Sequence, residues 1–198
     1  MHLPPEIRTL EGHEHKLIGN LIAEAFADDP VNIWAFNGVD AMAPGFIAMA
    51  KYFYLKHGYG HITVDGKAGT LWVRPGVKGG YGIAGNLSLA YSSLRYGGLP
   101  GLKNGLAIES CLGKHYPSEP CYYLFAIAVS PDQQGRGLGS LMMKHALRDI
   151  DAAGMPVYLE NSKPRNTPFY ARHGFRVLDE IQPAPDCPPL WRMWRDAR

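Results

Sequence analysis

Apolar residues recur at helical spacing in the second half of the chain, directly after a nearly continuous apolar run. Leu138, Met142, Ala146 and Ile150 are separated by steps of four, and Ala153 follows three residues later. This period predicts an α-helix with one apolar face. The run CYYLFAIAV (residues 121–129) is apolar and aromatic throughout, which predicts a strand buried on both faces.

Shorter apolar segments follow the helix at spacings typical of strands. PVYLE, FRVL and LWRMW each predict a strand, and NTPFYARHG predicts a short helix with Thr167 as its N-cap and Pro168 at its first helical position. The order strand, helix, strand, helix, strand, strand can form a right-handed βαβ unit. The second half therefore predicts an α/β fold.

The first half is less regular. HKLIGNLIAEAFADDP and FIAMAKYFYLKHG have helical periods, with Asp28, Asp29 and Pro30 ending the first helix and Gly58 ending the second. HITVD and TLWVRPG predict two strands joined by a turn. Residues 76–105 are rich in glycine and predict short helices or a long functional loop.

Composition narrows the class of protein. The 198 residues are 46% hydrophobic and 19% charged, with a net charge of +2, which predicts one globular domain (residues 1–198) and gives no reason to expect nucleic acid or a membrane as a partner. The N-terminal sequence lacks the pattern of a signal peptide, and no apolar run approaches the roughly 20 residues that span a bilayer. Three widely spaced cysteines imply no disulfide framework, so a cytoplasmic location is expected.

A glycine-rich stretch, SPDQQGRGLGSLM, lies between the apolar strand and the helix. Free N–H groups at a helix N-terminus, glycines that allow close approach and the charge of Arg136 together predict a phosphate site. The glycines do not have the spacing of a Walker A loop, and they read G-x-G-x-G rather than the dinucleotide fingerprint. A Rossmann-type oxidoreductase stays as a minor alternative because Glu160 ends the next strand, where a ribose-binding acid would lie.

Two motifs, correctly ordered, resemble one enzyme family. Residues 134–139, QGRGLG, resemble the acyl-CoA loop of the Gcn5-related N-acetyltransferases (GNAT), and residues 166–175 resemble that family's later N…Y…GF motif. The resemblance covers about residues 120–180. Among family members, the stretch YLENSKPRNTPFYARHGF is most similar to puromycin N-acetyltransferase.

The resemblance implies a GNAT-type acyl-CoA N-acyltransferase fold, in which a mixed, partly splayed β-sheet is flanked by helices. Residues 120–198 would be the acetyl-CoA-binding half, and residues 1–119 the acceptor side. The pantetheine arm would pair with the edge of the strand, and the pyrophosphate would lie on the loop amides. The expected cofactor-binding residues are Ile127, Ala128, Val129, Gln134, Gly135, Arg136, Gly137, Leu138, Gly139, Ser140 and Asn166; for Asn166 an ordering role at the helix start is the alternative.

The same resemblance implies two catalytic side chains. By position, Tyr170 would protonate the leaving thiolate, and Glu160 would accept the proton of the amine; a packed tyrosine and a solvated or ion-paired carboxylate are the structural alternatives. An N–H near Val129 would polarise the thioester carbonyl. Asp28 and Asp29 either border the acceptor site or only end a helix.

The expected activity is direct transfer, in a ternary complex, of an acetyl group from acetyl-CoA to a primary amine of a small molecule. The alternative from another class is a CoA-binding sensor without turnover, and a homodimer is left open. A zinc site at Cys111, His115 and Cys121 is disfavoured, because only three ligands are visible. Aromatic side chains of the acceptor half are expected either to line the acceptor pocket or to pack in the core: Trp34, Tyr52, Tyr54, Tyr81 and Tyr91.

Overall fold

A computed structural model describes residues 5–198. The first four residues, which the sequence analysis includes in the predicted domain, lie outside the described part of the chain. The strands are β1 Ile7–Thr9, β2 Tyr59–Thr63, β3 Ala68–Val73, β4 Tyr122–Val129, β5 Val157–Asn161, β6 Arg176–Ile181 and β7 Leu190–Arg195. The α-helices are α1 His15–Ala25, α2 Pro30–Phe36, α3 Met42–Met49, α4 Leu55–His57, α5 Gly82–Ser92, α6 Gly98–His115, α7 Leu138–Ala152 and α8 Thr167–Ala171. π-Helical turns, Ala50–Tyr54 and Ser93–Gly97, join α3 to α4 and α5 to α6.

The seven strands form one mixed sheet in the order β1-β2-β3-β4-β5-β7-β6. Only β4 and β5 are parallel; every other neighbouring pair is antiparallel. The predicted mixed sheet flanked by helices is confirmed. The Rossmann alternative is wrong, because that fold needs an open and mostly parallel sheet.

Helices cover both faces of the sheet. On one face, α1 and α3 bury Ile18, Ile22 and Phe46 against β2, β3 and the second half of β4. On the other face, α7 and α8 pack against β4 and β5 through a second cluster that includes Met143 and Tyr170. The predicted apolar stripe of α7 faces this second cluster, as its period requires.

Strand β4 differs from its prediction in one respect. Its burial alternates between buried and half-buried positions, so the strand is not enclosed equally on both faces. Trp72 pairs with Leu124 and Leu71 pairs with Ala126, which leaves Phe125 as an extra residue in a β-bulge. After a bulge, the residues that would have faced one side of the sheet face the other side. A uniformly apolar run does not show this change in the sequence.

The region from 76 to 105 is mostly helical, which agrees with the first of its two predicted alternatives, short helices rather than a long loop. Helix α5 buries only Gly85 and Ser92, and Leu87 and Tyr91 lie exposed on its outer face. Apolar residues outside the core obscure the helical period, which explains why a long loop was the alternative. Within residues 5–198, no helix has both the length and the apolar character needed to cross a membrane.

Candidate active site

Strands β4 and β5 separate soon after they begin to pair. Tyr122 pairs with Val157 and Tyr123 with Tyr158, and no later residue of β4 has a partner on β5. The edge of β4 from residue 124 to 129 therefore carries backbone groups that face a cleft inside the sheet. Such groups need partners, and the amides of an extended ligand can supply them. Ile127, Ala128 and Val129 lie along this edge, as predicted.

The glycine-rich loop lies at the end of the same edge. Gly135 and Gly137 have φ values of +77° and +85°, a left-handed conformation that disfavours any side chain. Gly139 is glycine for another reason, because a Cβ there would lie 3.3 Å from the Phe169 ring. The loop is exposed, and the first N–H groups of α7 (residues 138–140) have no acceptor within the helix. Its backbone can therefore bind a phosphate group.

Side chains fasten this loop to the sheet. Gln134 Nε2 donates to the Val129 carbonyl at 3.1 Å, and the Ser130 hydroxyl donates to Asp132 at 2.5 Å. The predicted ligand residue Gln134 therefore also anchors the loop to β4. Arg136 is exposed beside it, where its charge can reach an anion.

Helix α8 places Tyr170 in the second core cluster, with its ring against Phe169 and Phe175. Burial, and secondarily the charge of Asp29, raise the pKa of the Tyr170 hydroxyl far above its usual value. The phenol thus keeps its proton at every physiological pH. This is the state that a proton donor needs, although the ring also has the packing role that was the alternative.

The turn before α8 is held by residues that the sequence did not single out. Asn161 Nδ2 donates to the Thr167 hydroxyl at 3.1 Å, and Asn161 Oδ1 accepts from the Lys163 N–H at 3.1 Å. Thr167 is consequently inside the helix, and Asn166 takes the N-cap position without a side-chain capping bond. The N-cap prediction was one residue too late, because the Thr167 hydroxyl is used by Asn161.

Asp28 and Asp29 act as links rather than as a helix stop. Asp29 is the N-cap of α2, since its Oδ1 accepts from the Asn32 N–H at 2.9 Å, and its Oδ2 accepts from the Ser162 hydroxyl. Asp28 forms ion pairs with Lys163 and Arg165. The interpretation as helix-stop residues missed these bonds, which join the start of α2 to the turn before α8. Each of these links joins two residues that are at least 133 positions apart in the sequence. Local sequence spacing therefore gives no indication of them.

Glu160 lies on β5, two residues beyond the last pair with β4, at the base of the cleft. Its Oε1 is enclosed and has no hydrogen-bond partner among the described residues. Burial raises the pKa of this carboxyl above its usual value, against the opposing influence of the Tyr123 and Tyr158 hydroxyls and of Arg192. The residue as a whole is half-buried, so its role as a base rather than a solvated carboxylate stays a prediction.

Aromatic side chains surround this carboxylate. Tyr54, Tyr116, Tyr123 and Tyr158 each have a pKa raised chiefly by burial and further by the charge of Glu160. Of the five aromatic candidates, Tyr54 lies in this group and Tyr81 interacts with Tyr54. The others lie elsewhere: Tyr91 is exposed on α5, Tyr52 packs against Gly85, and Trp34 donates to Asp186.

The cysteines are dispersed. Cys111 Sγ lies 3.7 Å from His115 Nδ1, whereas Cys121 belongs to a different apolar cluster. In the part of the chain from residue 5 onward, no three His, Cys, Asp or Glu side chains are grouped as a metal site requires. All three thiols are buried and free.

Comparisons with known proteins agree with this geometry. Residues 103–177 match the family described as an acetyltransferase (GNAT) domain. A relative from Schizosaccharomyces pombe, named as an uncharacterised N-acetyltransferase, is 26% identical over 197 residues, which cover 88% of this chain and 75% of the relative.

Solved structures share the fold over nearly the whole chain. A structure from Corynebacterium glutamicum, described as histone acetyltransferase HPA2 and related acetyltransferase, has a TM-score of 0.69 at 22% identity and covers 99% of this chain and 98% of its own. The PaiA N-acetyltransferase of Thermoplasma acidophilum, solved in complex with coenzyme A, has a TM-score of 0.58 at 11% identity. The match covers 98% of this chain and 99% of the PaiA chain.

Proposed function

We propose that this N-acetyltransferase, whose residues 103–177 match a GNAT acetyltransferase domain, moves the acetyl group of acetyl-CoA directly to a primary amine of a small molecule. The observation that carries this proposal is the position of Glu160. Its Oε1 atom is enclosed and has no hydrogen-bond partner within residues 5–198, and the residue lies where β4 and β5 separate, on the same cleft as the glycine-rich loop. A base beside the acyl donor is what transfer to an amine needs.

The residues around the cleft fit acetyl-CoA. The loop amides from Gly135 to Ser140 and the charge of Arg136 would hold the pyrophosphate, and the edge of Ile127, Ala128 and Val129 would pair with the pantetheine arm. Asn166, whose side chain makes no capping bond, is free to contact the cofactor. The bound cosubstrate supplies the activated thioester.

Each proton has an assigned place. The acceptor arrives as an ammonium ion, and Glu160 takes one proton from it so that the neutral amine can attack the carbonyl carbon. An N–H near Val129 stabilises the developing negative charge on oxygen. When the carbon–sulfur bond breaks, Tyr170 gives its proton to the thiolate and is reprotonated, through solvent, by the second proton of the amine nitrogen. The first proton leaves Glu160 to solvent, which restores the carboxylate.

The cysteines support direct transfer in a ternary complex over an acyl-cysteine intermediate. Burial raises the pKa of Cys121 and of Cys187 to about 11, and it also raises the pKa of Cys111. A thiol in that state is a poor nucleophile at neutral pH. Three free, buried thiols also suit a reducing compartment such as the cytoplasm.

The likeness to puromycin N-acetyltransferase lies in β5 and α8, and it is consistent with the roles of Glu160 and Tyr170. It does not extend to the helices α5 and α6 that lie on the acceptor side, so puromycin is one acceptor to be tested among several.

We expect the protein to release CoA thiol from acetyl-CoA in the presence of primary amines, and to release it only slowly without them. The measurement is a thiol-reagent assay over a panel of amines, with mass spectrometry of the acetylated product. Tight CoA binding with no thiol release for any amine would favour the sensor over the enzyme. A thermal shift with NAD and none with CoA would contradict the proposal altogether.

The loop has its own test in Gly137→Ala. A side chain at φ +85° costs about 1–2 kcal/mol, and relief of that strain moves the N–H groups that would bind the pyrophosphate. We expect the dissociation constant for CoA, measured by calorimetry, to rise about tenfold, which corresponds to a loss of roughly 1.4 kcal/mol of binding free energy.

Gly113→Ala is the matched control, because Gly113 lies exposed in α6 with open space around its Cα. Alanine there should raise the free energy of unfolding by up to about 1 kcal/mol and leave CoA binding unchanged. If Gly137→Ala binds CoA as the native protein does, the pyrophosphate lies elsewhere.

A further inference from the structure

Four tyrosine rings near Glu160, which come from four separate elements, form what we call the aromatic wall: Tyr54, Tyr116, Tyr123 and Tyr158. Tyr116, after α6, lies edge-on to Tyr123 and to Tyr158, with ring centroids 5.7 Å apart in both pairs. Tyr123 and Tyr158 stack on neighbouring strands at 6.1 Å. Tyr54 continues the wall and stacks on Phe125 at 3.8 Å. The wall thus presents ring faces and hydroxyl groups, with one carboxylate among them.

Arg192, the cation whose charge acts on this carboxylate, forms its own hydrogen bonds to other groups. Arg192 forms two bonds to Asp179, at 2.6 and 2.5 Å, and a third to the His115 carbonyl at 2.6 Å. Its guanidinium is therefore already paired, while Glu160 Oε1 and the Tyr158 hydroxyl are both enclosed without a hydrogen-bond partner among the described residues. An enclosed carboxylate oxygen, beside a hydroxyl group that can also accept, matches a cation that donates hydrogen bonds.

Resting on the proposed function, we propose that Glu160 and the rings of Tyr54, Tyr116, Tyr123 and Tyr158 bind the acceptor's ammonium group, and that they select monoamines that carry an aromatic group. The ammonium pairs with Glu160 and lies against ring faces, which attract cations. The aromatic part of the acceptor packs against the outer ring of the wall, Tyr116.

The distribution of acids disfavours a polyamine as the acceptor. The aromatic wall consists of Tyr54, Tyr116, Tyr123 and Tyr158, and Glu160 is the one carboxylate assigned to it. We expect a polyamine to be the poorer acceptor, because these rings offer its second ammonium group no further carboxylate.

Tyr116 is the ring through which the wall meets solvent. Its side of the cluster is open, with 44% of the residue exposed, whereas Tyr158 is completely buried. In this proposal the acceptor would reach Glu160 past this ring. A change at Tyr116 is also less disruptive to the core than a change at Tyr158.

The first test measures kcat/KM by thiol release with phenethylamine, tyramine, n-butylamine, spermidine and a free-amine tripeptide. We expect the two aryl amines to exceed n-butylamine and spermidine by about tenfold or more. Spermidine or the tripeptide as the best acceptor would overturn this inference and leave the proposed acetyltransfer intact. No thiol release with any amine would instead show that the proposed function is wrong.

The second test compares Tyr116→Ala with Tyr116→Phe. Removal of the ring should raise KM for phenethylamine about tenfold and leave KM for acetyl-CoA unchanged, whereas phenylalanine retains the ring and should restore the native KM. Tyr91→Ala is the matched control, because Tyr91 is exposed on the outer face of α5. An unchanged KM for phenethylamine in Tyr116→Ala, in a protein with native CoA binding, would overturn the assignment.

Discussion

Glu160→Gln is expected to lower kcat/KM for the amine acceptor by about 10²–10⁴-fold, the range that a positioned acid or base contributes. Glutamine has nearly the same size and can still accept a hydrogen bond, but it cannot take the proton of an ammonium ion. Thiol release measured at saturating acetyl-CoA tests this expectation. Glu180→Gln, at an exposed position of β6, is the matched control and should retain native activity.

Glu160→Gln is expected to lower activity without lowering the stability of the fold. This difference distinguishes a catalytic role of Glu160 from a structural one. Burial raises the pKa of Glu160 above the ordinary value of 4.5, so the unfolded chain releases this proton first as the pH rises. Stability is therefore lost as the pH rises from about 4.5 through the raised folded-state pKa, and it then stays at the lower level. At neutral pH, Glu160→Gln should be at least as stable as the native protein.

Thermal unfolding of the native protein and of Glu160→Gln, at pH 5 and at pH 8, measures the direction of this stability change. A variant that is less active and also clearly less stable at pH 8 would indicate that Glu160 serves the structure rather than the reaction. The activity profile gives a second check: the rising limb of kcat/KM for the native enzyme should have its midpoint above 4.5 and should disappear in the variant.

Tyr170→Phe should lower kcat by roughly 10²-fold, because it removes the proton that the thiolate would receive. The ring stays in its cluster with Phe169 and Phe175, so the melting temperature and KM for acetyl-CoA should change little. The raised pKa of this hydroxyl predicts that native activity does not fall through loss of its proton near pH 10.

Tyr59→Phe is the matched control, since Tyr59 is a half-buried tyrosine that packs against the same cluster. It should leave kcat unchanged. Equal kcat values for Tyr170→Phe and the native enzyme would show that Tyr170 only packs, and another group would then have to protonate the leaving thiolate.

The donor side of the protein could be predicted from the sequence because it is built from neighbouring residues. Strand β4, the glycine loop and α7 follow one another between residues 122 and 152, so their apolar periods and glycine spacing lie within one short window. The positive φ angles of Gly135 and Gly137 have a direct signal in the sequence, namely the glycines themselves.

Other features had no local signal. The bulge at Phe125 changes the side of the sheet that later β4 residues face, and a uniformly apolar run cannot show it. Helix α5 has apolar residues on its exposed face, which contradicts the usual period of a surface helix. The links from Asp28 and Asp29 to the turn before α8 join residues more than 130 positions apart.

The sequence by itself determined an α/β architecture and the glycine-rich loop, because short-range periodicity and glycine spacing encode them, and its resemblance to the GNAT family pointed to Glu160 and Tyr170. Only the tertiary structure decided what surrounds Glu160. Tyr54, Tyr116, Tyr123 and Tyr158 come from four elements spread over about 100 residues, and each alone resembles an ordinary core tyrosine. Burial by long-range packing brings them to one carboxylate, and this burial raises its pKa.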